Sequence, residues 1–262
     1  MTQDCTNTRP SAAMIAIGDE LLNGRTRDAN VHYLGGWLEA RGVDLIEVRF
    51  VPDDQARIVE AVMALRDRAD MVFTSGGIGP THDDITADAI GAAFGVETTE
   101  RADALAVLAE WYKAKGEEVN DRRRRMARVP DGATLVKNTV SGAPGFSIGN
   151  VHVLAGVPTI FQDMLTALDE VIARGPVYSV YTVVGEGQES LIADGLLSLE
   201  SALHGVKIGS YPGTTGKGGP LAIVCKSFDD ELARRAAEAV EGLFRASGVE
   251  PRTEEGFGPV RD

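Results

Sequence analysis

The sequence predicts an α/β protein, a parallel sheet covered on both faces and followed by a small α+β domain. Three observations carry this. From residue 12 short apolar runs alternate with stretches of helical apolar spacing. Each of the first three runs ends in a turn rich in glycine, proline or carboxylates. Arg174-Gly175-Pro176 then breaks the alternation, and the order of elements changes after it. At about 150 residues per domain, a chain of 262 residues holds one large domain or a medium one with a small companion.

Residues 14–17 form the first strand, ended by Gly18. Val31, Leu34 and Leu38 recur at helical spacing behind Asp28, a suitable N-cap, and Gly42 closes that helix. A strand over residues 43–51 stops at Pro52; Ile58, Val62 and Leu65 mark the next helix, and residues 71–74 a third strand that runs into a glycine-rich turn. Residues 85–94 and 102–115 read as helices, the second with Leu105, Leu108 and Trp111 or Tyr112 on one side. A strand at 151–154 and a helix at 161–172 complete a domain of residues 12–175. Beyond it come a strand at 177–184, a helix at 189–199, strands at 206–208 and 221–225, and a helix at 229–246, a βαββα module within residues 176–249. Residues 1–11 and 250–262 read as tails.

The charge balance, 26 basic against 39 acidic residues for a net −13, disfavours nucleic acid as a partner, since duplex binding needs many Lys and Arg on phosphates. A hydrophobic fraction of 44% excludes disordered and collagen-like classes. Cys5, placed in a tail, and Cys225, placed in a strand core, form no C-x-x-C pair and suggest neither a disulfide framework nor zinc. The N-terminus does not read as a secretory signal. The uncharged stretch 139–161 is interrupted by Gly142, Pro144, Gly145, Gly149, Gly156 and Pro158, so it reads as turns and a buried strand instead of a membrane span. A cytoplasmic location is expected.

Chemistry concentrates in Thr74-Ser-Gly-Gly-Ile-Gly-Pro-Thr-His-Asp-Asp-Ile-Thr86, which leaves a strand and enters a helix. There Gly76, Gly77 and Gly79 would let backbone N–H groups approach phosphate, aided by the helix N-terminus. Neither the dinucleotide pattern nor a Walker A motif is present. Asp19-Glu20, Asp53-Asp54 and Asp83-Asp84 follow three successive strands, and would converge on one crevice where a divalent cation could bridge them to phosphate. Helix capping is the competing role for Asp54 and for one of Asp83 and Asp84. The run from Asn120 to Arg128 is a solvated helix face from which one or two arginines could reach an anion. Gly145-Phe-Ser-Ile-Gly149 matches the nucleophile-elbow string, yet a strand follows it, so a hairpin around Ser147 is expected. The Gly213-Thr-Thr-Gly-Lys-Gly-Gly219 stretch reads as a loop between two strands.

Gly18-Asp-Glu-Leu-Leu-x-Gly24 with Asn30, Pro52-Asp53-Asp54, the Thr74–Thr86 loop and Gly156-Val-Pro158 together resemble the molybdopterin-binding MoaB/Mog domain in its CinA-family form. Gly185-Glu-Gly-Gln-Glu-Ser190 and residues 208–212 resemble that family's KH-like module, so the likeness covers residues 12–247. It implies a three-layer α/β/α fold with a mostly parallel sheet that binds a pterin (molybdopterin) or an adenine nucleotide at the glycine loop. Thr74, Ser75, Gly76, Gly77, Gly79, Thr86, Asp19, Asn30, Gly156 and Pro158 are then the ligand-binding set. Asp53 and Asp84 match an acidic pair that works with a divalent metal (Mg, Mn or Co). From its place in the same loop, His82 is a candidate proton donor only if it reaches the diphosphate. Relatives are associated with hydrolysis of ADP-ribose, with potassium as a further cofactor, and similar domains with pyrophosphate cleavage beside FAD synthases. A metal-dependent pyrophosphatase acting on an ADP-containing molecule is the expectation. The alternatives are a binding module without turnover and a molybdopterin adenylyltransferase. The likeness also implies a homodimer. Two departures stand out. The family's Pro-Gly-x-Pro is here Ala155-Gly-Val-Pro158, and the amidase domain of longer relatives is not expected in this chain. KH-like denotes a fold here, and RNA binding does not follow from it.

Overall fold

A computed structural model describes residues 8–213 and 220–258. Cys5 and most of the Gly213–Gly219 stretch lie outside the described residues. The chain divides into two compact units, Thr8–Gly175 and the residues from Pro176 onward.

The first unit begins with β1 (Ser11–Ile17), a one-turn α1 (Asp19–Leu22), α2 (Asn30–Glu39), β2 (Asp44–Val51), α3 (Gln55–Arg66) and β3 (Met71–Ser75). It continues with α4 (Thr86–Phe94), β4 (Thr98–Glu100), α5 (Ala102–Ala114), α6 (Asp121–Arg124), β5 (Arg128–Pro130) and β6 (Thr134–Val136). The strands β7 (Gly145–Ile148) and β8 (Val151–Leu154) and the helix α7 (Pro158–Leu168) close it.

Among the described residues a six-stranded sheet runs in the order β2-β1-β3-β8-β7-β6. The first four strands are parallel, and β7 turns antiparallel to both neighbours. Residues 12–17 of β1 are all buried, which a central strand covered on both faces requires. Ile15, Val72, Ile58 and Ile90 pack on one face with α3, α4 and α5. Met14, Phe73, Leu34 and Phe161 pack on the other with α2 and α7. The expected three layers are therefore present, with a mostly parallel sheet.

Local chemistry explains several element ends. Asp28 Oδ1 accepts the Val31 N–H at 2.8 Å and opens α2, and Asp54 Oδ1 accepts the Arg57 N–H at 3.0 Å and opens α3. Neither Asp83 nor Asp84 caps α4, which starts behind Ile85 with no side-chain cap. The three-residue β4, β5 and β6 are too short to show a period in the sequence.

The second unit holds β9 (Ser179–Glu186), α8 (Ala193–Ala202), β10 (Lys207–Tyr211), β11 (Pro220–Ser227), α9 (Asp230–Ala246) and β12 (Arg252–Glu255). Its antiparallel sheet has the order β10-β11-β9-β12. Cys225 is buried in β11, and burial pushes its thiol up to about 12.

Both expected tails need correction where the structure describes them. Residues 252–255 pair with β9, a backbone interaction that needs no apolar alternation in Arg-Thr-Glu-Glu. At the other end Ser11 donates its N–H and hydroxyl to Asp70 at 2.8 and 2.7 Å, and Arg9 pairs with Glu39 at 2.9 Å.

Candidate functional site

The carboxyl ends of β1, β2, β3 and β8 border a cavity of about 530 Å³. In an open parallel sheet this is where ligands bind. One wall is the glycine turn from Gly76 to Pro80, and Glu20, Asp53, Asp83 and Asp84 stand around it. The opposite wall brings Met126, Asn138, Ser141, Ile160 and Met164.

The turn after β3 depends on glycine at two positions. Gly76 has φ +107°, and a Cβ there would lie 2.3 Å from the Ile17 carbonyl oxygen. At Gly77, with φ +66°, a Cβ would meet the Thr86 hydroxyl at 2.2 Å. That hydroxyl donates to the Gly76 carbonyl at 3.0 Å, and the Thr86 N–H donates to the Gly77 carbonyl at 3.0 Å, so the start of α4 holds the turn from beneath. The Gly76 N–H is committed to the Leu154 carbonyl at 3.1 Å. The N–H groups of Gly77, Ile78 and Gly79, in contrast, donate to nothing among the described residues.

Asp53 is half-buried and accepts the Asp19 N–H at 3.0 Å. Burial raises its pKa; the Asp19 N–H bond acts in the opposite sense, and the nearby charges of Asp19, Glu20 and Asp83 add to the rise. Asp84 accepts the Thr81 N–H at 2.7 Å, with the Thr81 hydroxyl at 2.6 Å from the same oxygen. The Thr81 hydroxyl also bonds Asp83 and holds that carboxyl below the ordinary carboxylate range.

Of the residues singled out in the sequence, Gly76, Gly77, Gly79, Gly156, Asp53 and Asp84 line the cavity. Thr74, Ser75, Thr86, Asn30, Asp19, His82 and Pro158 do not. Thr74 is buried in β3, and Pro158 supplies the first residue of α7, a position that tolerates its missing N–H. Asn30, 4% exposed, donates its Nδ2 to Ser75 Oγ at 2.7 Å and to the Gly156 carbonyl at 2.8 Å, tying the end of β3 to the turn after β8. Its role is to brace two cavity walls. Asp19 contributes its backbone N–H, and Glu20 is the member of that acidic pair on the lining, because the single turn of α1 rotates the two side chains apart. The His82 side chain is 99% exposed, with Asp83 its nearest carboxylate at 3.9 Å.

The far wall was not singled out in the sequence. Asn138 Oδ1 accepts the N–H groups of Val140 and Ser141 at 2.9 and 3.1 Å, an Asx-type turn whose cue is the polar run Asn-Thr-Val-Ser-Gly. Nothing local signals that this turn meets the glycine loop. The arginine run sorts itself as well. Arg123, Arg124 and Arg128 pair with Glu117, Glu100 and Asp88, whereas Arg125 donates its Nε to the Thr81 carbonyl at 3.1 Å.

Four carboxylates on one cavity, whose lining holds no lysine or arginine, suit a hard cation. No three His, Cys, Asp or Glu side chains among the described residues form a metal-holding group. Asp53 and Asp84 are the carboxylates on the lining that could hold such an ion. The Gly145–Gly149 string does enter a hairpin, but its turn falls at Gly149-Asn150 and Ser147 lies within β7, its Oγ 2.8 Å from His152 Nδ1, with neither residue on the cavity.

A family model described as a probable molybdopterin-binding domain matches residues 13–174. The crystal structure of the protein CinA, of unknown function, from Thermoplasma acidophilum is 31% identical, with a TM-score of 0.57 over 63% of this chain and 98% of that one. The chain belongs to the molybdopterin-binding-domain family in its CinA-like form. A CinA-like protein of Chlorobium limicola is 31% identical over 251 residues, covering 90% of this chain and 58% of its own length. A protein of Pyrobaculum arsenaticum is 35% identical over 253 residues, 90% of this CinA-like chain and 95% of the relative. No helix among the described residues is long and apolar enough to cross a membrane.

Proposed function

We propose that the cavity binds an ADP-containing small molecule, such as ADP-ribose or FAD, and that the protein hydrolyses its pyrophosphate to AMP and a second phosphate ester. The observation that carries this reading is the row of N–H groups at Gly77, Ile78 and Gly79, free of partners among the described residues and set beside four carboxylates. Consecutive N–H groups at a strand-to-helix turn suit a phosphate oxygen.

Asp53 and Asp84 would hold a divalent ion, with Glu20 and Asp83 at its margin. Such an ion, when bound, lowers the pKa of water and offsets phosphate charge. The backbone of Gly77–Gly79 holds the bridging phosphates in place, and the braces from Thr86 and Asn30 keep that backbone from relaxing as charge develops. The Asp19 N–H, donated to Asp53 at 3.0 Å, fixes that carboxylate at the end of β2 where the ion would sit. The apolar wall of Met126, Ile160 and Met164 gives the base or its pterin counterpart a dry surface.

Incubation with ADP-ribose and with FAD, in Mg, Mn or Co and with potassium, tests the reading through AMP release. No AMP under any of these conditions removes it. The exposure of His82 favours a second reading, a pterin or nucleotide-binding module without turnover, because no histidine then stands ready to protonate a leaving group. Its signature is thermal stabilisation by molybdopterin or an adenine nucleotide with no product.

A further inference from the structure

The cavity presents an unsolved charge problem. A diphosphate entering it meets Glu20, Asp53, Asp83 and Asp84, and no basic side chain lines the walls. A divalent ion offsets part of this charge, and backbone N–H groups add only partial charges. One source of a full positive charge beside the wall is the arginine run, which continues into the lining residue Met126. Three of its members are already neutralised, since Arg123, Arg124 and Arg128 each face a carboxylate. Arg125 is different. Its Nε donates to the carbonyl of Thr81 at 3.1 Å, and its two Nη groups meet no acceptor among the described residues.

Thr81 is the residue that organises the acidic end of the glycine loop. Its N–H and hydroxyl hold Asp84, its hydroxyl also bonds Asp83, and its carbonyl seats Arg125. One threonine thus fixes two cavity carboxylates and one arginine relative to each other. The residue after Arg125, Met126, is itself part of the cavity wall. Anchoring through Nε leaves the planar Nη fork free, the part of arginine that binds phosphate with two parallel hydrogen bonds.

We propose that Arg125, seated on Thr81 beside the cavity, is a positioning residue for the phosphates, its guanidinium fork turning from the neighbouring cleft it lines with Glu100 and Asp121 toward a nucleoside diphosphate held over Gly77–Gly79. This rests on the nucleotide reading of the same cavity and assigns the counter-charge that reading lacks. Arg122, exposed and in the same run, serves as the control for a merely solvated basic face.

The test is calorimetric titration of ADP, pyrophosphate and adenosine, in magnesium, into the full chain and its Arg125→Ala, Arg125→Lys and Arg122→Ala variants. Loss of a charged hydrogen-bonding partner weakens ADP and pyrophosphate by about tenfold or more in Arg125→Ala. Adenosine, which has no phosphate, binds that variant as it binds the parent. Arg125→Lys recovers part of the loss, as a point charge without the fork, and Arg122→Ala behaves as the parent. Unchanged ADP affinity in Arg125→Ala overturns the inference. So does an equal loss of ADP and adenosine, the mark of a loop that has merely collapsed, or a parent protein that binds neither ADP nor pyrophosphate. Failure of the hydrolase reading is separable: a parent that releases no AMP yet binds ADP through Arg125 leaves the inference standing.

Discussion

The turn after β3 and the hairpin of β7 and β8 are made from similar residues, Ser75-Gly76-Gly77 with His82 in one and Gly145-Phe-Ser147-Ile-Gly149 with His152 in the other. Their surroundings differ completely. The first lies at the carboxyl end of a central parallel strand, where neighbouring strands also end and a cavity opens. The second joins antiparallel strands toward the far edge of the sheet, and its histidine is 9% exposed with its ring 5.1 Å from that of Phe73. Burial pushes His152 down to about 4, so its imidazole is neutral at physiological pH and its bond to the half-buried Ser147 gives a buried ring nitrogen its partner. Strand direction, more than residue content, separates a site from a piece of core.

Three perturbations bear on that contrast. The largest effect is expected from Gly76→Ala. It combines a left-handed backbone with a Cβ 2.3 Å from the Ile17 carbonyl, and should cost about 3 kcal/mol or more in denaturant unfolding. Gly149→Ala, at φ +55° with the Phe94 ring edge 3.1 Å away, should cost about 1–2 kcal/mol. Equal costs at the two glycines would break the distinction.

Next is acid titration of stability. The folded pKa of His152 lies below its unfolded value of 6.5, so the unfolded chain binds the extra proton between those limits. Its contribution is complete above about pH 6.5 and is lost as pH falls to about 4, amounting to about 3 kcal/mol at 1.36 kcal/mol per pKa unit. Denaturation curves of the parent and of His152→Gln across that range check it, and a parallel pH slope in the two proteins would show that the buried imidazole is not responsible.

The smallest effect concerns Asp53, whose raised pKa has the opposite sign: in the unliganded fold its charged form is disfavoured, so its contribution declines as pH rises through the folded pKa. Asp53→Asn should therefore stabilise the unliganded protein by less than about 1 kcal/mol, solvent screening keeping the gain small. The same variant should lose metal-dependent AMP release. Destabilisation by Asp53→Asn, measured by urea unfolding, would assign the carboxylate to the architecture instead of the chemistry.

Much of the cavity was legible before folding was considered. Gly76, Gly77, Gly79, Asp53 and Asp84 all border it, because strand ends and the glycine turn between β3 and α4 are local features. Asn30 and Thr86 were legible as residues of interest, and the structure places them behind the lining instead of on it. Each hydrogen-bonds another part of the protein, and such a partner 45 or 10 residues away leaves no local trace. His82 fell outside because its side chain points into solvent, which neighbouring aspartates cannot reveal.

By itself, then, the amino-acid sequence determined the alternation of strands and helices, the conformations only glycine can take after β3, and a carboxylate pair following each of three parallel strands. Tertiary structure decided that Glu20, Asp53 and both Asp83 and Asp84 border the cavity while Asp19 and Asp54 do not, that Met126 and the Asn138 turn complete its wall, and that Arg125 is the arginine joined to the loop. The physical reason is range: periodicity and backbone sterics act over a few residues, whereas the cavity is closed by sheet order and by hydrogen bonds such as that from Arg125 to Thr81, 44 positions apart.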